Sequence, residues 1–211
     1  MNNREYVKEM SESGYSPENV DDFHTTAVPY IVGALLPDKN SCILDLGVGA
    51  GHVVLSLKSA GYSKLFAADI DDFYADFFEK QGIVFKKANL EKDTLDFKEN
   101  YFDAITSFHV VEHLSDPSNF MSECKRLLKP GGRLVMVTPD WRKQYKTFWR
   151  DHTHVHPYDK ESIQRLFRAG GFEVETVRSF GVLRGVGRLK LWKLFPALMF
   201  TGLDMVCIGK K

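Results

Sequence analysis

Residues 42–51 read Cys42-Ile43-Leu44-Asp45-Leu46-Gly47-Val48-Gly49-Ala50-Gly51, a short apolar run that empties into three alternating glycines. A run of this length, ended by glycines, reads as a buried strand followed by a tight turn. Glycines at such a turn let the backbone bend sharply and approach a ligand closely. Open α/β sheets bind their ligands at the carboxyl ends of the strands, where this turn would lie. A dinucleotide fingerprint G-x-G-x-x-G starting at Gly47 requires glycine at position 52, and His52 stands there. The spacing is D-x-G-x-G-x-G instead.

Outward from this stretch, strands and helices alternate. Upstream, residues 1–23 are polar and acidic and read as a loose leader able to fold over the domain; 24–36 read as a helix with Pro29 near its start. Downstream, a short helix is expected at about 51–60 and a second strand at 64–68, ending at Asp69. Phe73, Tyr74, Phe77 and Phe78 have helical spacing within 71–81. Strands are expected at 83–85, 102–108 and 134–138. Between the last two lie a helix at 116–128, with Asp116 as N-cap and Pro117 in the first helical position, and a turn at 129–133. A helix at 160–169, capped by Asp159, precedes strands at 173–180 and 204–210. The alternation predicts a mostly parallel α/β sheet of seven strands. No helix of comparable pattern separates the last two strands, so an antiparallel strand is expected at the C-terminal end.

Asp69 at the end of the second strand is placed to accept the hydroxyls of a ribose. Asn89 and Leu90 follow the third strand. Further on come Phe102-Asp103, Glu112-His113-Leu114 and Leu128-Lys129-Pro130-Gly131-Gly132. Together with the glycine turn, these motifs over roughly 40–140 resemble the class I S-adenosylmethionine-dependent methyltransferases, in particular the ubiquinone-biosynthesis-like group. The resemblance implies a Rossmann-like, doubly wound fold, S-adenosylmethionine as cofactor and S-adenosylhomocysteine as product. It implies that Gly47, Gly49 and Asp69 hold the cofactor, with Asp45 and Gly51 supporting the loop. Asn89 would meet the adenine amino group with Leu90 beside the ring, and Phe108 and His109 would lie near the adenosine or the methyl donor. One domain is expected over 1–211: a leader and helix at 1–36, a cofactor-binding core at 40–140, and substrate-side loop and lid inserts at 141–160 and 181–203.

Bulk composition narrows the partners. Lys+Arg and Asp+Glu are 28 each, so the formal net charge is zero, whereas nucleic-acid binders usually carry a basic excess. The motif by which amino-directed nucleic-acid methyltransferases grip a planar nitrogen is replaced by Ser107-Phe108-His109-Val110. A small-molecule acceptor is therefore expected: a hydroxyl compound such as a sugar, a quinone or a lipid-linked intermediate. A protein or RNA acceptor, or a binding module without turnover, is the alternative. Three scattered cysteines, Cys42, Cys124 and Cys207, give no disulfide framework. The N-terminal stretch lacks the apolar centre of a secretory signal, and a cytoplasmic location is expected.

The histidines carry the candidate chemistry. His109-Val110-Val111-Glu112-His113 matches H-x-x-E-H, a zinc-hydrolase pattern that needs a long helix. Here it follows a strand directly and meets Pro117 soon after, so the expected metal set is none. His113 is a candidate base, against a histidine merely satisfied by backbone. His152, His154 and His156 share one face if the segment is extended. They read as substrate pocket or loop-fixing groups, with a base at His154 and a metal site as further alternatives. Methyl transfer from a sulfonium needs mainly alignment, and a base only where the acceptor must lose a proton.

No acidic residue lies between Glu175 and Asp204, and the stretch carries Arg178, Arg184, Arg188, Lys190 and Lys193 among Leu183, Leu189, Leu191, Trp192, Leu194, Phe195, Leu198, Met199 and Phe200. One reading of 181–200 is a lid packed on the domain. The other is a surface for anionic lipid or a lipid-linked substrate. Oligomeric state is not legible.

Overall fold

The structure, a computed structural model, describes residues 3–182 and 190–211. Seven strands form one sheet: β1 (Cys42–Leu46), β2 (Lys64–Asp69), β3 (Val84–Lys87), β4 (Phe102–Phe108), β5 (Leu128–Pro139), β6 (Glu173–Phe180) and β7 (Asp204–Lys210). Their order is β3-β2-β1-β4-β5-β7-β6. The pairs β3–β2, β2–β1, β1–β4 and β4–β5 are parallel, and β7 runs antiparallel to both β5 and β6. This is the doubly wound, mostly parallel sheet with an antiparallel C-terminal strand that the alternation predicted. The order reverses beside β1 and β4, so a crevice opens at their carboxyl ends.

The helices are α1 (Asn3–Glu12), α2 (Asp22–Leu35), α3 (His52–Ser59), α4 (Ala75–Lys80), α5 (Ser118–Leu127), α6 (Trp141–Gln144) and α7 (Lys160–Ala169). Side chains alternate across the sheet and divide the core. Leu44, Leu46, Leu134 and Met136 face α5 and α7 through Phe120, Cys124, Ile163 and Phe167. On the other side Ile43, Leu65 and Ala67 meet Val28 and Val32 of α2, Val53 and Val54 of α3, and Phe78 of α4. Val135, Val137 and Ile208 continue that side against Ala27 and Ile31. Cys42, Cys124 and Cys207 are all buried free thiols.

Several sequence expectations shift. The leader contains a helix, α1, and a short 3₁₀ turn at Pro17–Asn19. Helix α2 begins at Asp22, because the Asp21 carboxylate accepts the His24 amide at 2.9 Å and caps it there. Pro29 consequently sits inside the helix rather than near its start. Helix α4 is shorter than the aromatic spacing suggested. Residues 129–133 are not a separate turn but belong to β5. The ladder with β4 jumps from Phe102–Leu128 to Ala104–Arg133, leaving the glycines in a bulge. Pro117 occupies the cap position of α5 and Asp116 accepts the Ser118 amide from outside it.

Candidate active site

The turn after β1 is built by its glycines. Gly47 has φ of 75°, and a Cβ there would come within 2.1 Å of Val110 Cγ2. Gly51 has φ of 81°, and a Cβ there would meet the Phe78 ring at 2.4 Å. Only a residue without a side chain fits either position. Gly49 differs: a Cβ there would find only the Tyr15 ring, at 3.9 Å, so the loop's middle faces open space.

Asp69 completes the edge of this space. Its Oδ2 accepts the Gly49 amide at 2.9 Å and its Oδ1 accepts the Asp71 amide at 3.0 Å. The carboxylate is thereby fixed in orientation and keeps lone pairs for further donors. Burial raises its pKa, opposed by the amides of Asp71 and Gly49. Asp45 lies deeper, 3% exposed, and accepts the Thr106 hydroxyl at 2.7 Å. Burial lifts its pKa to about 7; the Thr106 hydrogen bond opposes that rise and the neighbouring Asp69 charge adds to it.

Two clefts flank the loop. The first is lined by Gly49, Asp69, Asp71, Phe73, Tyr74 and Phe78. The second brings together Tyr15, His24, Asp45, Gly47, Val48, His52, Val53, Phe108 and His109. Of the sequence-predicted residues, Gly49 and Asp69 border the first cleft, while Asp45, Gly47, Phe108 and His109 border the second. Gly51 stands behind the loop against Phe78. Asn89 and Leu90 lie just past β3 and belong to neither lining. The Asn89 side-chain oxygen accepts the Glu91 amide at 3.0 Å.

His109 adopts a left-handed backbone, φ 56°, as the chain leaves β4. Its Nδ1 is 3.3 Å from Glu112 Oε1 and its Nε2 is 3.8 Å from Asp204 Oδ2. Burial alone would depress its pKa, but the Glu112 and Asp204 carboxylates outweigh that and raise it to about 9. Glu112 is fully buried and accepts the Thr138 hydroxyl at 2.9 Å. Its backbone carbonyl accepts the amides of Val155 and His156.

Neither His113 nor His154 belongs to the lining of either cleft. They stack beside each other behind Glu112, with ring centroids 4.8 Å apart. His113 Nδ1 is 2.9 Å from Thr153 Oγ1, and His154 Nδ1 is 2.8 Å from the Phe148 carbonyl. The three loop histidines do not share one face. His154 turns to His113, His156 Nδ1 lies 3.2 Å from the Leu114 carbonyl, and His152 is exposed. The H-x-x-E-H stretch forms only a 3₁₀ turn over Val111–His113, not the long helix a zinc hydrolase needs.

The second cleft also holds residues that sequence reading passed over: Tyr15, His24 and His52, with Asp21 beside them. His52 occupies the position where the dinucleotide fingerprint would have a glycine. It is 4% exposed, its Nε2 lies 3.1 Å from the Ser16 carbonyl, and the Tyr15 ring stacks on it at 4.3 Å. Burial lowers its pKa, against the Ser16 carbonyl. The one available signal was the acidic leader itself, which does fold over the cleft.

In the basic apolar stretch, Leu183, Arg184, Arg188 and Leu189 lie outside the described residues. Trp192 and Met199 are buried against α2, β5 and β7, while Leu194 and Phe195 are 74% and 61% exposed. Lys190 and Lys193 pair with Asp22. Among the described residues no helix is long and apolar enough to cross a membrane.

The donor set fits S-adenosylmethionine. A glycine whose Cβ position faces open space adjoins an oriented carboxylate on one side of the loop. A buried carboxyl and a glycine pressed against Val110 lie on the other. Comparison with known proteins agrees. The sequence profile of a family described as methyltransferase domain matches residues 14–177. A probable S-adenosylmethionine-dependent methyltransferase of Mycolicibacterium smegmatis is 36% identical over 93 residues, 42% of this chain and 35% of that protein. A ubiquinone biosynthesis O-methyltransferase of Cereibacter sphaeroides is 28% identical over 114 residues, 51% of this chain and 44% of that one. The matches thus span less than half the length of these relatives. Among solved structures, the complex of the Haloferax volcanii Trm112 methyltransferase activator with a methyltransferase superposes with a TM-score of 0.73 at 16% identity, covering 97% of this chain and 96% of that one. At that identity the likeness is one of fold.

Proposed function

The chain belongs to the methyltransferase-domain family, and from that membership we propose that it transfers the methyl group of S-adenosylmethionine to a hydroxyl of a small-molecule acceptor. The observation that carries the acceptor class is the second cleft. It opens beside Gly47 of the glycine turn. Among the described residues its lining holds three imidazoles and a tyrosine, and neither lysine nor arginine.

When bound, the cofactor supplies a methyl group already activated on a sulfonium. The Asp69 carboxylate would accept ribose hydroxyls, with Asn89 and Leu90 toward the base. Gly47 and Gly49 let the backbone close on the cofactor, and Asp45 offers a buried carboxylate to its positive charge. Holding acceptor and methyl in line can contribute roughly 7–11 kcal/mol to lowering the barrier. His109, kept protonated by the Glu112 and Asp204 carboxylates that its two ring nitrogens face, is a poor base there. His24 and His52 are the imidazoles able to receive an acceptor proton. His113 and His154 act from behind Glu112, as positioning residues for the 141–158 loop. The described part of the C-terminal insert supports the lid reading. Trp192 packs on Phe23, which packs on Phe180, which in turn touches the cleft residue Phe108.

The test is calorimetric titration with S-adenosylmethionine and separately with NAD, followed by a screen of hydroxylated small molecules for release of S-adenosylhomocysteine. Micromolar binding of the first ligand alone, and turnover on a hydroxyl compound, are expected. Turnover confined to protein or RNA fractions would overturn the acceptor class.

A further inference from the structure

We propose that Asp21, His24 and His52 form a site for one divalent transition-metal ion of the Zn²⁺ class at the mouth of the second cleft. His52 Nε2 faces the Ser16 carbonyl at 3.1 Å. A carbonyl oxygen can only accept, so the neutral imidazole carries its proton on Nε2 and a lone pair on Nδ1. That Nδ1 is buried and has no hydrogen-bond partner among the described residues. It faces Asp21 Oδ2, another acceptor, across 3.8 Å.

Oδ2 already shares the His24 Nδ1 proton, whereas His52 Nδ1 has no donor, so a cation between the two atoms would serve both. Two ligand atoms each about 2.0–2.2 Å from a tetrahedral zinc stand roughly 3.3–3.6 Å apart, near this gap. His24 supplies the third group: its Nδ1 is hydrogen-bonded to the same Oδ2 at 2.6 Å, a contact that opens when both atoms turn to the ion. One ligand atom from each of the three lies within 4.8 Å of the others. Outer contacts hold them in place: the Ser16 carbonyl and the Tyr15 ring fix His52, and the His24 amide fixes Asp21 through Oδ1. Two imidazoles and a carboxylate leave coordination positions open, as catalytic zinc sites do. Because His24 and His52 both line the cleft, those positions face the acceptor.

Binding displaces the proton that His24 Nδ1 shares with Asp21, and that proton goes to buffer. With His24 and His52 engaged by the ion, an acceptor oxygen bound to it would release its hydroxyl proton to solvent near neutral pH. That oxygen would then form the new bond to the methyl carbon as the carbon–sulfur bond breaks, its electron pair going to sulfur. This favours acceptors with a hydroxyl beside a second oxygen, able to chelate. The acceptor step rests on the methyl-transfer reading; the ion's binding does not.

The experiment titrates metal-stripped full-length protein with Zn²⁺ by calorimetry and with Co²⁺ by visible absorption, against Asp21→Asn and His24→Ala. Asparagine preserves the cap of α2, His24 is partly exposed, and circular dichroism checks that both variants fold. One ion per chain is expected, with visible Co²⁺ bands of an N/O-ligated, four- or five-coordinate ion, and at least tenfold weaker binding in each variant. Absence of binding to the wild type, or equal affinity in the variants, overturns the site. Zn²⁺ binding retained by a chain that fails to bind S-adenosylmethionine would overturn the methyl-transfer reading and leave the metal site standing.

Discussion

The Gly49 amide donates to Asp69 Oδ2 at 2.9 Å, tying the turn after β1 to the end of β2 across twenty residues of sequence. The carboxylate proposed to receive a ribose is therefore aimed by the glycine loop. Asp69→Ala removes both the ligand contact and this tie, while the sheet ladder at Asp69, being backbone, survives. A hydrogen bond to a charged group contributes about 1.5–3 kcal/mol. S-adenosylmethionine affinity should fall at least tenfold by calorimetry, with an unchanged circular dichroism spectrum. An unaltered dissociation constant would refute the assignment.

Gly47→Ala should be severe for two separable reasons. The new Cβ would press on Val110 Cγ2, and the left-handed backbone itself costs roughly 1–2 kcal/mol for a residue with a side chain. Adding Val110→Ala removes the first cost only. Urea unfolding should show partial recovery in the double variant, short of the wild type. Full recovery, or none, would contradict this division.

A cofactor seated against Asp45, as proposed, would bind in a pH-dependent way. With a carboxyl pKa raised to about 7 by burial, it is neutral below that value and charged above it. A cationic ligand favours the charged form, so affinity for S-adenosylmethionine should rise from pH 6 to pH 8, with proton release detectable in buffers of different ionisation enthalpy. In the free protein the sign reverses. The unfolded carboxyl ionises near 4, so this group's contribution to stability is present below that pH and is lost as pH rises toward 7. Asp45→Asn should flatten both profiles.

The His109–Glu112 contact gives a third titration. Its folded pKa, raised to about 9, lies above the ordinary value of 6.5. The stability it confers is complete below about 6.5 and is lost as pH rises through 9. Glu112→Gln should bring the His109 transition, followed by NMR, down toward its ordinary value. The loop held by the Glu112 backbone carbonyl should stay in place, because glutamine keeps that carbonyl and an oxygen for the Thr138 hydroxyl.

The tail insert is tested by flotation with acidic vesicles. With Lys190 and Lys193 paired to Asp22 and Trp192 buried, the lid reading predicts that the protein stays in the unfloated fraction. Flotation abolished by Leu194→Ser with Phe195→Ser would assign that exposed pair to a lipid surface instead.

What the sequence determined by itself is the strand-and-helix alternation, the seven-stranded sheet and the glycine turn with Asp69 at the end of β2. These rest on local physics: short apolar runs, helix caps, and glycines where no side chain fits. Asn89 was placed past β3 for the same reason, by its position in the alternation. The acceptor side was decided by tertiary structure alone. His113 belongs to the Glu112-His113-Leu114 motif, yet the 3₁₀ turn at Val111–His113 sets it against His154 of the later loop rather than in either cleft. Tyr15 and Asp21 belong to a polar leader with no apolar pattern of its own, and His24 opens the helix expected after it. They reach the cleft only because Ser16 and Tyr15 settle on a buried histidine at the start of α3. Contacts between segments far apart in the chain leave no periodicity in either, so only the folded chain shows which imidazoles share a space.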